Sequence, residues 1–149
     1  SDEKEIIPRE GLMEIDFGEW QDQKIKGLSR LKIWKTVQQA PSRMHFPGGE
    51  TFTAAQFRIV QELDRIASSH APEDLVVCVS HSDAIKLAVA FFTGLPLDLF
   101  QRLHVSPGSI TTLVIGEGPS RLINLNYDPS FSLMPPEKKP RRGRKPKTE

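Results

Sequence analysis

The sequence predicts an α/β domain with a three-layer arrangement, in which helices flank a mostly parallel sheet. The first observation is an apolar, β-branched run at Leu75–Ser80 that ends abruptly and turns into a helical pattern over residues 83–92. Such a run is typical of a buried parallel strand. An amphipathic helical pattern precedes this run and two short strand patterns follow it. Helix and strand therefore alternate along the chain, as in a layered α/β domain.

Two helical patterns are predicted before the apolar run Leu75–Ser80, which we call the central run. Apolar residues recur at mostly helical spacing from Ile25 to Val37, and Pro41 ends that pattern. A second amphipathic helix should extend to about Ser69, and we expect it to cover the sheet. Its apolar face consists of Phe52, Ala55, Ile59, Leu63 and Ile66.

The elements after the central run are also marked by local signals. A mostly apolar helix over residues 83–92 is closed by Gly94, and a short helix should follow at residues 98–103. Residues 111–115 and 122–125 are typical of two strands, and the turn-rich segment between them predicts a hairpin at a sheet edge. About three strands are thus expected in this chain.

Composition is that of an ordinary globular protein. The chain has 149 residues, of which 38% are apolar and 26% charged, and this suits one domain. No apolar run approaches the roughly 20 residues of a membrane span, and the amino terminus lacks the order of a signal peptide. We therefore expect a cytoplasmic protein without membrane contact. Cys78 is the single cysteine and should be a small buried thiol.

Charge divides the chain into an acidic body and a basic tail. Residues 137–149 contain seven Lys/Arg and two Glu, whereas residues 1–136 carry 13 basic and 17 acidic side chains. Four prolines and the lack of apolar residues predict a disordered tail over residues 135–149. Residues 138–147 resemble an AT-hook imperfectly. A solubilising tail with weak, nonspecific binding to nucleic acid or another polyanion is the simpler interpretation.

One histidine, His81, directly follows the central run and lies at the predicted strand-to-helix turn. Ligands of open α/β sheets lie at the carboxyl ends of strands, where the next helix offers free N–H groups to an anion. His81 is therefore placed for phosphate chemistry, although a hydrogen-bonded histidine at the sheet edge is the plainer alternative. The adjacent Ser80, Ser82 and Asp83 do not predict a serine hydrolase, because triad members are seldom sequence neighbours.

Several further segments, in their order and spacing, resemble the histidine phosphatase superfamily, also called phosphoglycerate mutase-like proteins. The resemblance covers about residues 10 to 128, and its details are most similar to a phosphomutase branch. The segments are Leu12–Trp20, Trp34–Gln38, Pro41–Ser42, Phe46–Thr51, Leu97–Arg102 and Val105–Ile110.

The resemblance implies a phosphoglycerate mutase-like fold that is truncated at the amino end. Members of the family open with a strand ending in Arg-His-Gly, whose histidine is the nucleophile, and they carry another phosphate-binding arginine. Neither segment occurs in these 149 residues. Residues 1–134 would then be the carboxyl-terminal two thirds of such a domain. This piece alone should be inactive and should leave apolar surface uncovered.

The resemblance also assigns roles to individual residues. The absent histidine would attack phosphorus, His81 would hold the phosphate oxygens, and Glu14 would protonate the leaving group and then activate water. That role requires a raised pKa at Glu14. Ser82 replaces the glycine that commonly follows the second histidine, and its backbone N–H can still bind phosphate. Asp16 and Glu19 are competitors for the acid role.

The remaining polar residues are expected to be structural or solvated. Glu50 belongs to a Gly-Gly-Glu-Thr segment that organises its loop in this family. Arg43 and His45 could reach an anionic substrate, but a solvated loop is the better default. His70 and His104 lack the spacing of a metal site, so no metal or cofactor is expected. The predicted partner is a phosphorylated small molecule, and phosphatase, mutase and non-catalytic binding module all stay open.

Overall fold

The computed structural model describes residues 5–130. The predicted basic tail at residues 135–149, with its AT-hook resemblance, lies outside this part. Short 3-10 turns occur at Glu10–Leu12, Gly18–Trp20, Pro41–Arg43 and Leu97–Arg102. The helices and strands of the described part are α1 Ile25–Leu28, α2 Trp34–Gln39, α3 Phe52–Ser68, α4 Ser82–Thr93, β1 Ile110–Val114 and β2 Arg121–Tyr127.

Helices α3 and α4 pack against each other and confirm the two helices predicted on either side of the central run. The Thr51 hydroxyl caps α3 by accepting a hydrogen bond from the Ala54 N–H at 3.0 Å. Gly94 ends α4 with φ 70°, a left-handed conformation that glycine adopts without strain. The predicted face of α3 is buried, apart from the half-buried Leu63.

An aromatic cluster holds α3 on the segments around it. Phe52 is fully buried, and its ring centroid lies 5.2 Å from that of Phe46 and 5.0 Å from that of Phe100. Aromatic rings at these separations contribute packing energy beyond the apolar area that they bury. The same cluster joins the loop before α3 to the 3-10 turn after α4.

We expect Phe52→Ala to lower the free energy of unfolding by about 3–5 kcal/mol, because it leaves a cavity between two rings. Urea denaturation of residues 1–149 measures this change. Phe57→Ala is the matched control, since Phe57 lies on the same helix but is 63% exposed. The control should change stability by no more than about 0.5 kcal/mol. If Phe52→Ala lowers the free energy of unfolding no more than Phe57→Ala does, the aromatic cluster does not stabilise the fold.

The helical pattern between Ile25 and Val37 is interrupted, unlike the prediction. The chain forms the single turn α1, leaves helical geometry, and starts again in α2. Gly27 and Ser29 have weak helix propensity at the break, and Ile25 and Leu31 are exposed. Apolar spacing therefore overestimated the length of this helix.

Leu75–Ser80, predicted to be a buried parallel strand, pairs with no strand among residues 5–130, and it is exposed apart from the half-buried Ser80. Leu75, Val77 and Val79 are 88%, 81% and 90% exposed. Cys78 is exposed as well, so the prediction of a buried thiol is wrong. A strand in an α/β sheet is buried by its neighbours and by helices on both faces. Within residues 5–130, the expected uncovered apolar surface is confirmed.

The predicted hairpin is confirmed as an antiparallel pair. Strands β1 and β2 align Ile110 with Tyr127 and Leu113 with Leu122, and they form a two-stranded sheet. This is the one sheet among residues 5–130, which therefore do not contain the predicted three-layer, mostly parallel sheet. None of the helices in the described part has both the length and the apolar character that a membrane crossing needs.

Candidate functional site

His81 lies at the start of α4. Its backbone is extended, with φ −115° and ψ 161°, and its carbonyl accepts the first helical hydrogen bond, from the Ile85 N–H at 2.9 Å. The first N–H groups of a helix have no partner within the helix and carry a partial positive charge. The exposed His81 side chain thus stands beside donors that attract an anion.

Ser82 is the first residue of α4, so its backbone N–H belongs to this group of free donors. Its hydroxyl donates a hydrogen bond to the Val105 carbonyl at 3.2 Å. The extra hydroxymethyl group, compared with glycine, is therefore engaged with the neighbouring chain. The backbone donor is left for a ligand.

Glu14 lies in an irregular segment that is hydrogen-bonded to the loop before α3. The Asp16 N–H donates to Glu50 Oε1 at 3.0 Å, and the Glu50 N–H donates to the Asp16 carbonyl at 2.9 Å. These two bonds fix the chain immediately after Glu14. Glu50 therefore organises its loop, as predicted.

Close backbone approach explains the glycines of these two segments. A Cβ atom at Gly18 would overlap with the carbonyl oxygen of Pro47, and one at Gly49 would overlap with the carbonyl oxygen of Asp16. Gly18 also has φ 53°, in the left-handed region. The glycines thus allow the Glu14 segment and the loop to come into contact.

Burial raises the pKa of the Glu14 carboxyl above its ordinary value. A hydrogen bond from the Ile15 N–H lowers it, the negative charge of Asp83 raises it, and the charges of His81 and Lys86 lower it. The net direction is upward. Glu14 therefore keeps its proton to a higher pH than an ordinary glutamate, which is the property that an acid working near neutral pH needs.

A short hydrogen bond connects the Glu14 segment to the turn that carries His81. The Ser80 hydroxyl donates to the Leu12 carbonyl at 2.6 Å. Together with the charge interaction between Glu14 and His81, this bond shows that the fold brings the two segments to the same end of α4. A helix end with free N–H donors, an imidazole and a carboxyl group of raised pKa are parts that can serve phosphoryl transfer.

The competing carboxylates have other surroundings. Asp16 Oδ1 accepts hydrogen bonds from the Gly18 N–H at 2.9 Å and the Gln21 amide at 3.0 Å, so it stabilises a local turn. Glu19 is exposed. His45 forms a backbone bridge with Thr51 in the loop before α3.

An ion pair on α4 was not identified from the sequence. Lys86 is buried and pairs with Asp83 one turn earlier, while its ammonium group donates to Gln101 Oε1 at 3.0 Å and lies 5.3 Å from the centre of the Phe100 ring. The spacing of three residues along a helix is a signal for such a pair. Because both charges act on Glu14, the pair belongs to the electrostatic surroundings of the site.

His70 and His104 are bonded locally, His70 to the Ile66 carbonyl and His104 to Ser106. Among residues 5–130, no three His, Cys, Asp or Glu side chains are grouped to hold a metal ion.

Comparisons with known proteins point to one family. A family model described as the histidine phosphatase superfamily (branch 1) matches residues 1–128. No curated protein sequence matches the chain.

Solved structures share the fold at low sequence identity. Bacillus stearothermophilus YhfR superposes with a TM-score of 0.71 at 24% identity, over 77% of this chain and 58% of its own. A mutant phosphoserine phosphatase from Entamoeba histolytica in complex with phosphoserine gives 0.73 at 22% identity, over 83% and 63%. Alpha-ribazole phosphatase from Shigella flexneri gives 0.64 at 23% identity, over 82% and 60%. The chain thus spans about three fifths of the length of these structures.

Proposed function

Because the chain belongs to branch 1 of the histidine phosphatase superfamily, we propose that it forms part of an enzyme that transfers the phosphoryl group of a phosphomonoester through a phosphohistidine. One observation carries the proposal: the Glu14 carboxyl, whose pKa burial raises, interacts electrostatically with His81 at the amino end of α4. The helix end supplies donors for the phosphate, and the two side chains supply proton transfer and charge stabilisation.

His81 and the backbone N–H of Ser82 would bind the equatorial oxygens of the phosphoryl group. Negative charge on these oxygens must be stabilised while the bond to the leaving oxygen breaks. The extended backbone of His81 leads directly into α4, so the imidazole would lie next to the helix donors on one phosphoryl group.

Glu14 would be the general acid. A protonated carboxyl group can give its proton to the leaving oxygen, and the resulting carboxylate can then take a proton from the water that attacks the phosphohistidine. The raised pKa supports the first step. Bound phosphate would raise the pKa further, because like charges disfavour ionisation.

The nucleophile would come from an Arg-His-Gly strand, a segment that these 149 residues do not contain. The uncovered run at Leu75–Ser80 supports this, since it offers both an unpaired backbone and an apolar surface to an added strand. Such a strand would complete a mostly parallel sheet next to His81. Residues 1–149 alone would then lack the residue that forms the covalent intermediate.

The proposed substrate is a phosphorylated small molecule. Two of the structures with a similar fold are phosphatases by name, a phosphoserine phosphatase in complex with phosphoserine and an alpha-ribazole phosphatase. Hydrolase and mutase reactions share the phosphohistidine step and differ in whether water or the substrate accepts the phosphoryl group. The site described above fits both, because it handles the phosphate and the leaving oxygen.

Turnover of an aryl phosphate tests this proposal on two proteins, residues 1–149 and the extended protein. By the extended protein we mean residues 1–149 joined behind a family amino-terminal segment that contains both the Arg-His-Gly strand and the further phosphate-binding arginine. We expect turnover only from the extended protein, and it should persist in the presence of a chelator. Binding of inorganic phosphate without turnover by the folded extended protein would instead support a non-catalytic module. Robust turnover by residues 1–149 that is lost in His81→Ala would overturn the need for the added strand.

A further inference from the structure

Arg58 on α3 contacts the backbone of residues 10–14, which comprise the 3-10 turn Glu10–Leu12 and the start of the irregular segment that carries Glu14. One terminal nitrogen donates to the carbonyls of Gly11 and Met13, at 3.1 Å each, and more weakly to that of Glu10 at 3.4 Å. The other donates to the Glu14 carbonyl at 3.3 Å. A single guanidinium group thus collects four carbonyl oxygens from five consecutive residues.

The same guanidinium group is paired with Glu50. Arg58 Nη2 lies 2.6 Å from Glu50 Oε1, and Nε donates to Oε2 at 3.4 Å. Glu50 Oε1 in turn accepts from the Asp16 N–H. Arg58 therefore holds the chain before and at Glu14, while Glu50 holds it directly after.

This segment has little regular structure of its own. Between the 3-10 turn that ends at Leu12 and the one that begins at Gly18, no helix or strand orders the backbone. Besides Arg58, the Glu14 region is held by the buried Ile15 side chain and by the hydrogen bond from Ser80 to Leu12. An irregular backbone can carry a well-placed side chain only if other groups fix it.

We infer that Arg58 is a positioning residue, whose hydrogen bonds to the backbone set the Glu14 carboxyl group at the amino end of α4. The inference rests on the proposed function, because it matters for catalysis only if Glu14 is the acid. Arg58 touches carbonyl oxygens and Glu50, so it acts on the reaction through Glu14.

Arginine suits this task better than lysine. Its planar group presents five N–H donors in a fixed fork, whereas an ammonium group is a compact charge with three donors on a flexible chain. The carbonyls of four residues and both oxygens of one carboxylate are more acceptors than lysine can reach together. Lysine would preserve the charge but release part of the segment.

The charge of Arg58 does not oppose the acid role of Glu14. Glu50 balances it, and the charges that act on the Glu14 carboxyl come from Asp83 and Lys86 on α4 and from His81. Arg58 therefore fixes the half-buried position of Glu14 through geometry. Burial at that position is the main cause of the raised pKa.

NMR of residues 1–149 tests the inference without any need for turnover. In Arg58→Ala, amide exchange at Ile15 and Asp16 should become at least about tenfold faster than in the wild type, since a loosened segment opens more often. The pKa of the Glu14 carboxyl should fall towards its ordinary value, because the freed side chain gains water. Arg65→Ala is the matched control, since Arg65 also lies on α3 and pairs with a glutamate, Glu62.

The control should leave both readouts unchanged. Unchanged exchange at Ile15 and Asp16 and an unchanged Glu14 titration in folded Arg58→Ala would overturn the inference. So would faster exchange throughout α3 and α4 without a change in that titration, because this pattern means a general loss of stability. If Arg58→Ala does not fold, Arg58→Lys replaces it and should change both readouts in the same directions; no change in the folded lysine variant would equally reject the inference. An inactive extended protein would contradict the proposed function. It would not change the amide exchange or the Glu14 titration of residues 1–149, so the two failures can be distinguished.

Discussion

Replacing His81 by alanine in the extended protein is expected to lower kcat/KM by about a hundred- to a thousandfold, the effect of losing one donor that stabilises charge in the transition state. The loss should be similar for phosphomonoesters with good and with poor leaving groups. The phosphoryl oxygens carry charge in the transition state whatever the leaving group is, so their stabilisation is needed in every case.

Steady-state kinetics with a series of aryl and alkyl phosphates measures this effect. His70→Ala is the matched control, because His70 is exposed just after α3 and is bonded locally to the Ile66 carbonyl at 2.7 Å. The control should retain near wild-type kcat/KM. A loss in His81→Ala that is confined to poor leaving groups would show that His81 donates a proton and that the two roles are assigned the wrong way round.

Local patterns predicted the helices and the hairpin well. The apolar face of α3 repeats over about four turns, and Gly94 marks the end of α4, so neighbours in sequence determine both. The weaker helical pattern after Ile25 gave a wrong prediction of one continuous helix. The helix is interrupted near Gly27 and Ser29, which are poor helix formers, and the apolar side chains around them are exposed.

The central run shows the limit of a local prediction. Leu75–Ser80 has the composition of a buried strand, but a strand is stabilised by partners that lie elsewhere in the chain. Without such partners among residues 5–130, the run and Cys78 are exposed. The sequence therefore predicts that the segment can form a buried strand. The structure shows that the segment has no strand partner among residues 5–130.

The candidate site was predicted in part. His81 follows from the end of an apolar run, and Glu14 and Ser82 follow from the resemblance to a family. Arg58 was missed because its contacts with the Glu14 segment span more than 40 residues of sequence, and a single arginine on a helix gives no local signal. The direction of the Glu14 pKa also required the structure, since burial is a property of the packed chain.

Glu14→Gln in the extended protein should slow turnover of poor leaving groups by about a hundredfold or more, the usual contribution of a general acid. Glutamine keeps the shape of the side chain but has no acidic proton to give. An alkoxide leaves slowly unless it is protonated in the transition state, whereas a nitrophenolate leaves readily without help. Good leaving groups should therefore lose little in the step that releases the alcohol.

Glu19→Gln is the matched control, because Glu19 is an exposed carboxylate only five residues away and was a competitor for the same role. It should behave as the wild type with every substrate. The same series in Asp16→Asn examines the other competitor, whose carboxylate stabilises a turn. That variant should lose stability and should not acquire a new dependence on the leaving group.

The role of Glu14 as general acid is tested by the slope of log kcat/KM against leaving-group pKa for the wild-type extended protein and for Glu14→Gln. We expect a shallow slope for the wild type and a markedly steeper negative slope for the variant, because only the variant must expel an unprotonated leaving group. Equal slopes in the two proteins would contradict the assignment of Glu14 as the general acid and, with it, the proposed phosphatase site.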